Sequence, residues 1–185
     1  VKPGDKITAL PSGETAVVTE VYVCDNMVRQ AISGQPVTIC IDREMDISRG
    51  CVIVGETDAK VANLFRSQVL WMDDEPLQTG KSYYLKIGTK KILASITRVC
   101  HGIDINSGKR VTCDTLNKNE IGVCEIMTAD KVVLAQFSKI NSLGCFILID
   151  GESNMTSACG VVKRELNRED NVVWQDMDIT REIRE

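Results

Sequence analysis

The sequence predicts an all-β chain built as two small barrels with a C-terminal tail. Three observations carry this. Runs of four to eight residues rich in Val, Ile and Thr recur along most of the 185 residues, and turn residues separate them. No segment before the C-terminus keeps a 3.6-residue apolar period. Near Gly55–Lys60, the stretch Glu56-Thr57-Asp58-Ala59 interrupts two apolar regions and divides the chain.

The strands expected in order are Lys6–Ala9, Glu14–Val23, Pro36–Ile41 and Cys51–Val54 in the first unit. In the second unit they are Leu64–Trp71, Ser82–Ile87, Lys90–His101, Glu120–Met127, Cys145–Asp150 and Thr156–Lys163. Pro11-Ser12-Gly13 and Ile87-Gly88-Thr89-Lys90 have hairpin-turn composition, because Gly reaches positive φ without steric cost. Ser33-Gly34-Gln35-Pro36 ends one run and starts the next. Asp130–Lys139 reads equally as a helix or, through Lys131-Val132-Val133-Leu134, as a strand. From Arg164 the chain turns polar and charge-dense, as in a linker, with a helix start at Thr180-Arg181-Glu182. The expected units are residues 1–57, 58–163 and 164–185.

Composition narrows the function. A hydrophobic fraction of 43% and a charged fraction of 26% fit a soluble globular protein. No run approaches the roughly 20 apolar residues of a membrane span. The chain opens on Val1-Lys2-Pro3-Gly4 with neither methionine nor leader, which suggests a trimmed chain or a start inside a longer one. Its net charge is -4. Lys86 with Lys90-Lys91, and Lys109-Arg110, are its nearest basic clusters, and both fall at strand ends or turns. Neither makes the stripe that displaces counterions from nucleic acid.

The eight cysteines contain no C-x-x-C pair, and the one histidine, His101, adjoins Cys100. Zinc ligands usually come in closely spaced pairs. Cys24, Cys40, Cys51 and Cys145 lie in apolar runs, where a free thiol acts as a small hydrophobe. Unpaired thiols in this number suit a reducing cytoplasm.

Candidate chemistry is sparse. Neither G-x-x-x-x-G-K-[ST] nor G-x-G-x-x-G occurs, so no glycine loop cradles a phosphate. Asn117-Lys118-Asn119-Glu120 has an Asn-Lys pair in a polar loop. Asp73-Asp74-Glu75 could attract a cation or form a solvated turn before Pro76. Cys100 and His101, with Asp104 as orienter, could be imagined as nucleophile and base. Strand neighbours point to opposite faces, however, and such a pair does not readily hydrogen-bond. Trp71 and Tyr83-Tyr84 suit a core or an interface. No catalytic, cofactor-binding or metal-binding residue is assigned.

Several runs are more specific than composition. Asp46-Ile47-Ser48-Arg49-Gly50 resembles the end of the second domain of translation-factor-like GTPases, where the glycine turns the chain into a last strand. Val69-Leu70-Trp71-Met72, Glu75-Pro76-Leu77, Gly80–Ile87 with Lys90-Lys91, Asp104-Ile105-Asn106 and Asn119-Glu120-Ile121-Gly122 come next. Gly144–Asp150 and Ser153-Asn154-Met155-Thr156 follow. In that order, over about residues 1–163, they resemble the large GTP-binding subunit of bacterial sulfate adenylyltransferase. Asn171-Val172-Val173-Trp174-Gln175 and Asp178–Glu182 resemble the lead-in to the adenylylsulfate kinase domain of bifunctional forms.

The resemblance implies two translation-factor-like barrels, the first lacking about two strands ahead of Val1 and so leaving an open edge able to self-associate. It implies a parent enzyme that forms adenylylsulfate from ATP and sulfate with GTP hydrolysis, using GTP, ATP and magnesium outside this segment. The implied partners are the parent's own GTPase domain and a small subunit. Two rivals are translation-factor barrels that bind tRNA and a free-standing β interaction module. A basic face would favour the tRNA reading; the net acidity and the Ser153–Thr156 region favour the sulfurylase.

Overall fold

The computed structural model describes residues 1–166. Two antiparallel sheets account for nearly all of it. The first comprises β1 (Lys6–Leu10), β2 (Glu14–Val23), β3 (Asn26–Met27), β4 (Val37–Ile41) and β5 (Val52–Val54). Its order is β3-β2-β1-β5, with β4 also on β2. Alternation along β2, shifted by an irregularity after Val18, puts Ala16, Val18 and Val21 into a small core with Ile7 and Ala31. This sheet stays open, since β4 pairs only with β2 and β5 only with β1. Beside those edges is a cleft of about 570 Å³ lined by Ile7, Val37, Ile39 and Ile53.

The second sheet comprises β6 (Lys60–Trp71), β7 (Ser82–Ile87), β8 (Lys90–Ile103), β9 (Arg110–Val111), β10 (Ile121–Leu134), β11 (Cys145–Asp150) and β12 (Thr156–Glu165). The order β10-β6-β12-β11-β7-β8 closes on itself through β10–β8 pairing, giving a six-stranded barrel. Closure removes the unpaired strand edges that invite aggregation. Inward positions recur with period two: Phe65, Ser67, Val69 and Trp71 on β6, Tyr83, Leu85 and Ile87 on β7, Phe146 and Leu148 on β11. Phe65 meets Phe146 edge-on at 6.0 Å, and Trp71 meets Tyr83 at 5.8 Å.

The structure differs from the expected elements in instructive places. β6 starts four residues before Leu64, because Lys60–Ala62 pair with Val132–Leu134 beyond a bulge. That pairing settles Asp130–Lys139: Lys131–Leu134 is strand, and only Asn141–Gly144 makes a helical turn, α1. Gly144 is required there by packing, since a Cβ would lie 2.4 Å from the Phe137 backbone. β12 runs through Glu165, two residues past the expected end at Lys163. β3 and β9 were not expected, being two-residue strands with no periodic signal. Gly50 sits at φ +104°, two residues before β5, as the resemblance implied. The tail features at Asn171–Gln175 and Asp178–Glu182 lie outside the described residues.

Candidate functional site

The short runs singled out for chemistry prove to be built into turns. Asp73 accepts from Ser157 Oγ at 2.8 Å, and Asp74 pairs with Lys118. With Trp71 Nε1 donating to Glu75 O at 2.7 Å, Asp73-Asp74-Glu75 is a braced turn below Trp71. Asn117–Glu120 closes on itself: Glu120 Oε2 accepts from Asn117 N at 2.7 Å. Asp104 accepts from the Asn106 and Ser107 amides at 2.7 and 2.9 Å, which holds its carboxyl below the usual range. Asp104 therefore organises its own turn. Among the described residues no group of three or more His, Cys, Asp or Glu is placed to hold a metal.

Cys100 is the extra residue of a bulge: Val123 pairs with His101 and Cys124 with Val99. Its thiol points to Glu125 Oε1 at 3.7 Å rather than to His101. Burial, then the Glu125 charge, raises its pKa, which disfavours the thiolate. Deeper in the barrel, burial pushes the Cys124 thiol up to about 12. Desolvation, then Arg110 and Arg66, lowers His101, so it stays neutral near pH 7. All eight cysteines are free.

The Asp150–Thr156 hairpin explains one run that carried the resemblance. Asp150 accepts from the amides of Glu152 and Ser153 at 2.9 and 2.8 Å and from Ser153 Oγ at 3.1 Å. Lys81 Nζ closes the ring of donors at 2.8 Å. Lys81 first, then the two amides, hold the Asp150 carboxyl well below the usual range. The residues shared with the resemblance here build the fold.

What the residue-by-residue search for chemistry missed is a surface. On the outside of the barrel a groove of about 720 Å³ runs across β6, β12, β11 and β7. Leu70, Val161, Cys159, Ile147 and Cys145 form its floor, with Phe137 from the β10–α1 connection at its side. An outward barrel position normally carries a polar side chain. Here the outward register is apolar: Cys159 pairs with Leu70 on one side and Ile147 on the other. The signal was present in Cys145-Phe146-Ile147-Leu148-Ile149, which is apolar at every position instead of every second one. Such a run marks a strand meant to be covered on both faces.

A cationic row borders the groove. Across neighbouring strands, Arg164 faces Arg66, Arg66 faces Glu125, and Glu125 faces Arg98. One carboxylate stands among three guanidiniums. Arg66 Nη2 donates to Glu125 Oε1 at 2.5 Å; Arg164 and Arg98 form no ion pair among the described residues. Gln68, two residues along β6 from Arg66, lines the groove, so row and groove are contiguous.

Comparison with known proteins places this architecture. The chain is 37% identical over 180 residues to the bifunctional enzyme CysN/CysC of Xylella fastidiosa, covering 97% of this chain and 29% of that protein. It is 34% identical over 167 residues to sulfate adenylyltransferase subunit 1 of Photobacterium profundum, covering 90% and 35%. The chain thus spans about a third of the length of such relatives. Among solved structures, sup35 complexed with GDP superposes with a TM-score of 0.80 at 22% identity, over 90% of this chain and 42% of that one. Elongation factor SelB of Methanococcus maripaludis superposes at 0.73 and 15%, over 92% and 38%. Both likenesses concern the fold alone. Residues 64–163, most of the closed barrel, match the GTP-eEF1A C-terminal domain-like family, and the chain belongs to that family.

Proposed function

We propose that this chain is the barrel region of a GTP-dependent sulfate adenylyltransferase large subunit, which joins a GTPase domain to a small subunit. The observation that carries this reading is 34–39% identity to sulfate adenylyltransferase subunit 1 and CysN/CysC relatives over nearly the whole chain. Residues 1–57 make one unit, the closed barrel from residue 58 through the end of β12 at Glu165 the second, and the residues after it lead toward a kinase domain for adenylylsulfate. The parent converts ATP and sulfate to adenylylsulfate in the cytoplasm, using GTP and magnesium. No phosphate loop occurs in these residues, so no step of that chemistry is assigned to them. Their part is mechanical: closed and open β units, rigid by strand pairing, carry domain movement from the nucleotide site to the adenylylation site.

Reconstitution of the parent chain with the small subunit tests the reading. Adenylylsulfate should form from ATP and sulfate, and faster with GTP than with GDP. A parent chain that forms no complex with the small subunit, or no adenylylsulfate with it, would refute the proposal.

A further inference from the structure

We infer that Lys90 is a positioning residue that sets the angle between the two β units: its aliphatic stem is the seat on which Gly50 rests, and GTP coupling depends on that seat. The inference rests on the proposed function and adds to it the contact through which one unit bears on the other.

No strand pairing connects the two sheets, and among the described residues no ion pair joins residues 1–57 to residues 58–166. Covalently the units meet through Gly55-Glu56-Thr57-Asp58-Ala59, between β5 and β6. The second half of that linker is held: Lys139 Nζ pairs with Asp58 Oδ1 at 3.1 Å, and Ala59 N donates to Thr57 Oγ1 at 3.1 Å. This leaves Gly55 and Glu56 as the pivot about which the first unit can turn. Units joined by so small an area move relative to each other by default. A second point of contact then decides the angle.

Gly50 is that second point. The run Asp46–Gly50 turns the chain toward β5 and reaches the β7–β8 hairpin of the closed barrel. A Cβ at Gly50 would lie 2.8 Å from Lys90 Cδ, 3.7 Å from its Cβ and 3.8 Å from its Cα. Glycine at φ +104° leaves room for the lysine stem to lie across the backbone. Lys90 is half-buried and forms no ion pair among the described residues, so its part here belongs to the methylenes and not to the charge. Packing without a directional bond is made and broken at little cost. The short linker keeps loop and stem at high local concentration, so linker and seat fix the angle jointly and neither does so alone.

The test compares Lys90→Ala, which deletes the stem, with Lys90→Met, which keeps it and removes the charge, in the full-length parent with the purified small subunit. The first readout is the rate of adenylylsulfate formation with GTP over that with GDP. Lys90→Ala should lower this ratio by about 2–5-fold, the lower part of the range for residues that modulate coupling without touching a ligand, and Lys90→Met should keep it. The second readout is the distance distribution between genetically encoded spin labels at the exposed positions Asp25 and Lys109, one in each unit. It should broaden in Lys90→Ala and not in Lys90→Met. Melting temperature, GTP affinity and small-subunit affinity should match wild type in both variants, because the hairpin backbone and its pairing are kept. An unchanged ratio or an unbroadened distribution in Lys90→Ala overturns the inference and leaves the proposed function standing. Equal loss in Lys90→Met also overturns it, by assigning the effect to the charge. A wild-type parent without GTP stimulation, or without affinity for the small subunit, refutes the underlying reading instead.

Discussion

Replacing Arg66 by methionine isolates the energetics of a partly buried ion pair on the barrel wall. The Glu125 side chain is 9% exposed and the Arg66 side chain 31%. Removal of the guanidinium leaves a carboxylate facing the Cys100 thiol, with its neighbour Arg98 directed to solvent. Breaking a buried pair by losing one partner costs about 3–5 kcal/mol, because the remaining charge stays desolvated. Partial exposure of Arg66 puts this site at the low end, about 3 kcal/mol. For a barrel of this size that lowers Tm by roughly 12 °C or more. Arg66→Met with Glu125→Leu removes both charges and should regain most of the loss, since an apolar pair of similar volume is close to neutral. Thermal melts and urea titrations of the two variants give the comparison. A double variant no more stable than Arg66→Met would refute the reasoning, since the penalty would then come from packing rather than the orphaned charge.

Asp150 makes an acid-sensitive hairpin. Its folded pKa is depressed, so its stabilisation is present above the unfolded value of about 3.9 and is lost as pH falls through the folded value. The stability gap between wild type and Asp150→Asn, read from urea midpoints, should be full at pH 7, begin to shrink below the unfolded value of about 3.9 and close only as pH falls through the depressed folded value; a gap constant across the acid range would contradict this assignment. Gly50→Ala places a side chain at φ +104° with its Cβ 2.8 Å from Lys90 Cδ. It should cost about 1–3 kcal/mol. Lys90→Ala in the same chain should recover only the contact part, leaving the backbone part in the denaturation midpoint. Calorimetry of GTP and ATP against the purified 185-residue chain should give no saturable heat, and micromolar affinity would contradict the proposed division of labour.

Much of this was readable before the structure. β2 and β7 were placed to within a residue because alternation such as Tyr83-Tyr84-Leu85-Lys86-Ile87 reports one buried face directly. Asp130–Lys139 was undecidable because Val132-Val133-Leu134 satisfies both periods; pairing with Lys60–Ala62, seventy residues away, decides it, and no local pattern encodes that. The bulge at Cys100 was equally hidden, for it arises from unequal residue counts on β8 and β10. The groove was legible in principle. Cys145–Ile149 is apolar at every position, but an apolar run alone does not say which side chains face the core, and only a closed barrel shows which of them point outward.

Mechanical coupling is the central claim, and one insertion tests it. A six-residue Gly-Ser segment after Glu56 in the parent would let the two units move independently while leaving each intact. GTP hydrolysis and small-subunit affinity should stay near wild type, and GTP stimulation of adenylylsulfate formation should fall to the level seen with GDP. Full GTP stimulation across the flexible insertion would contradict the account.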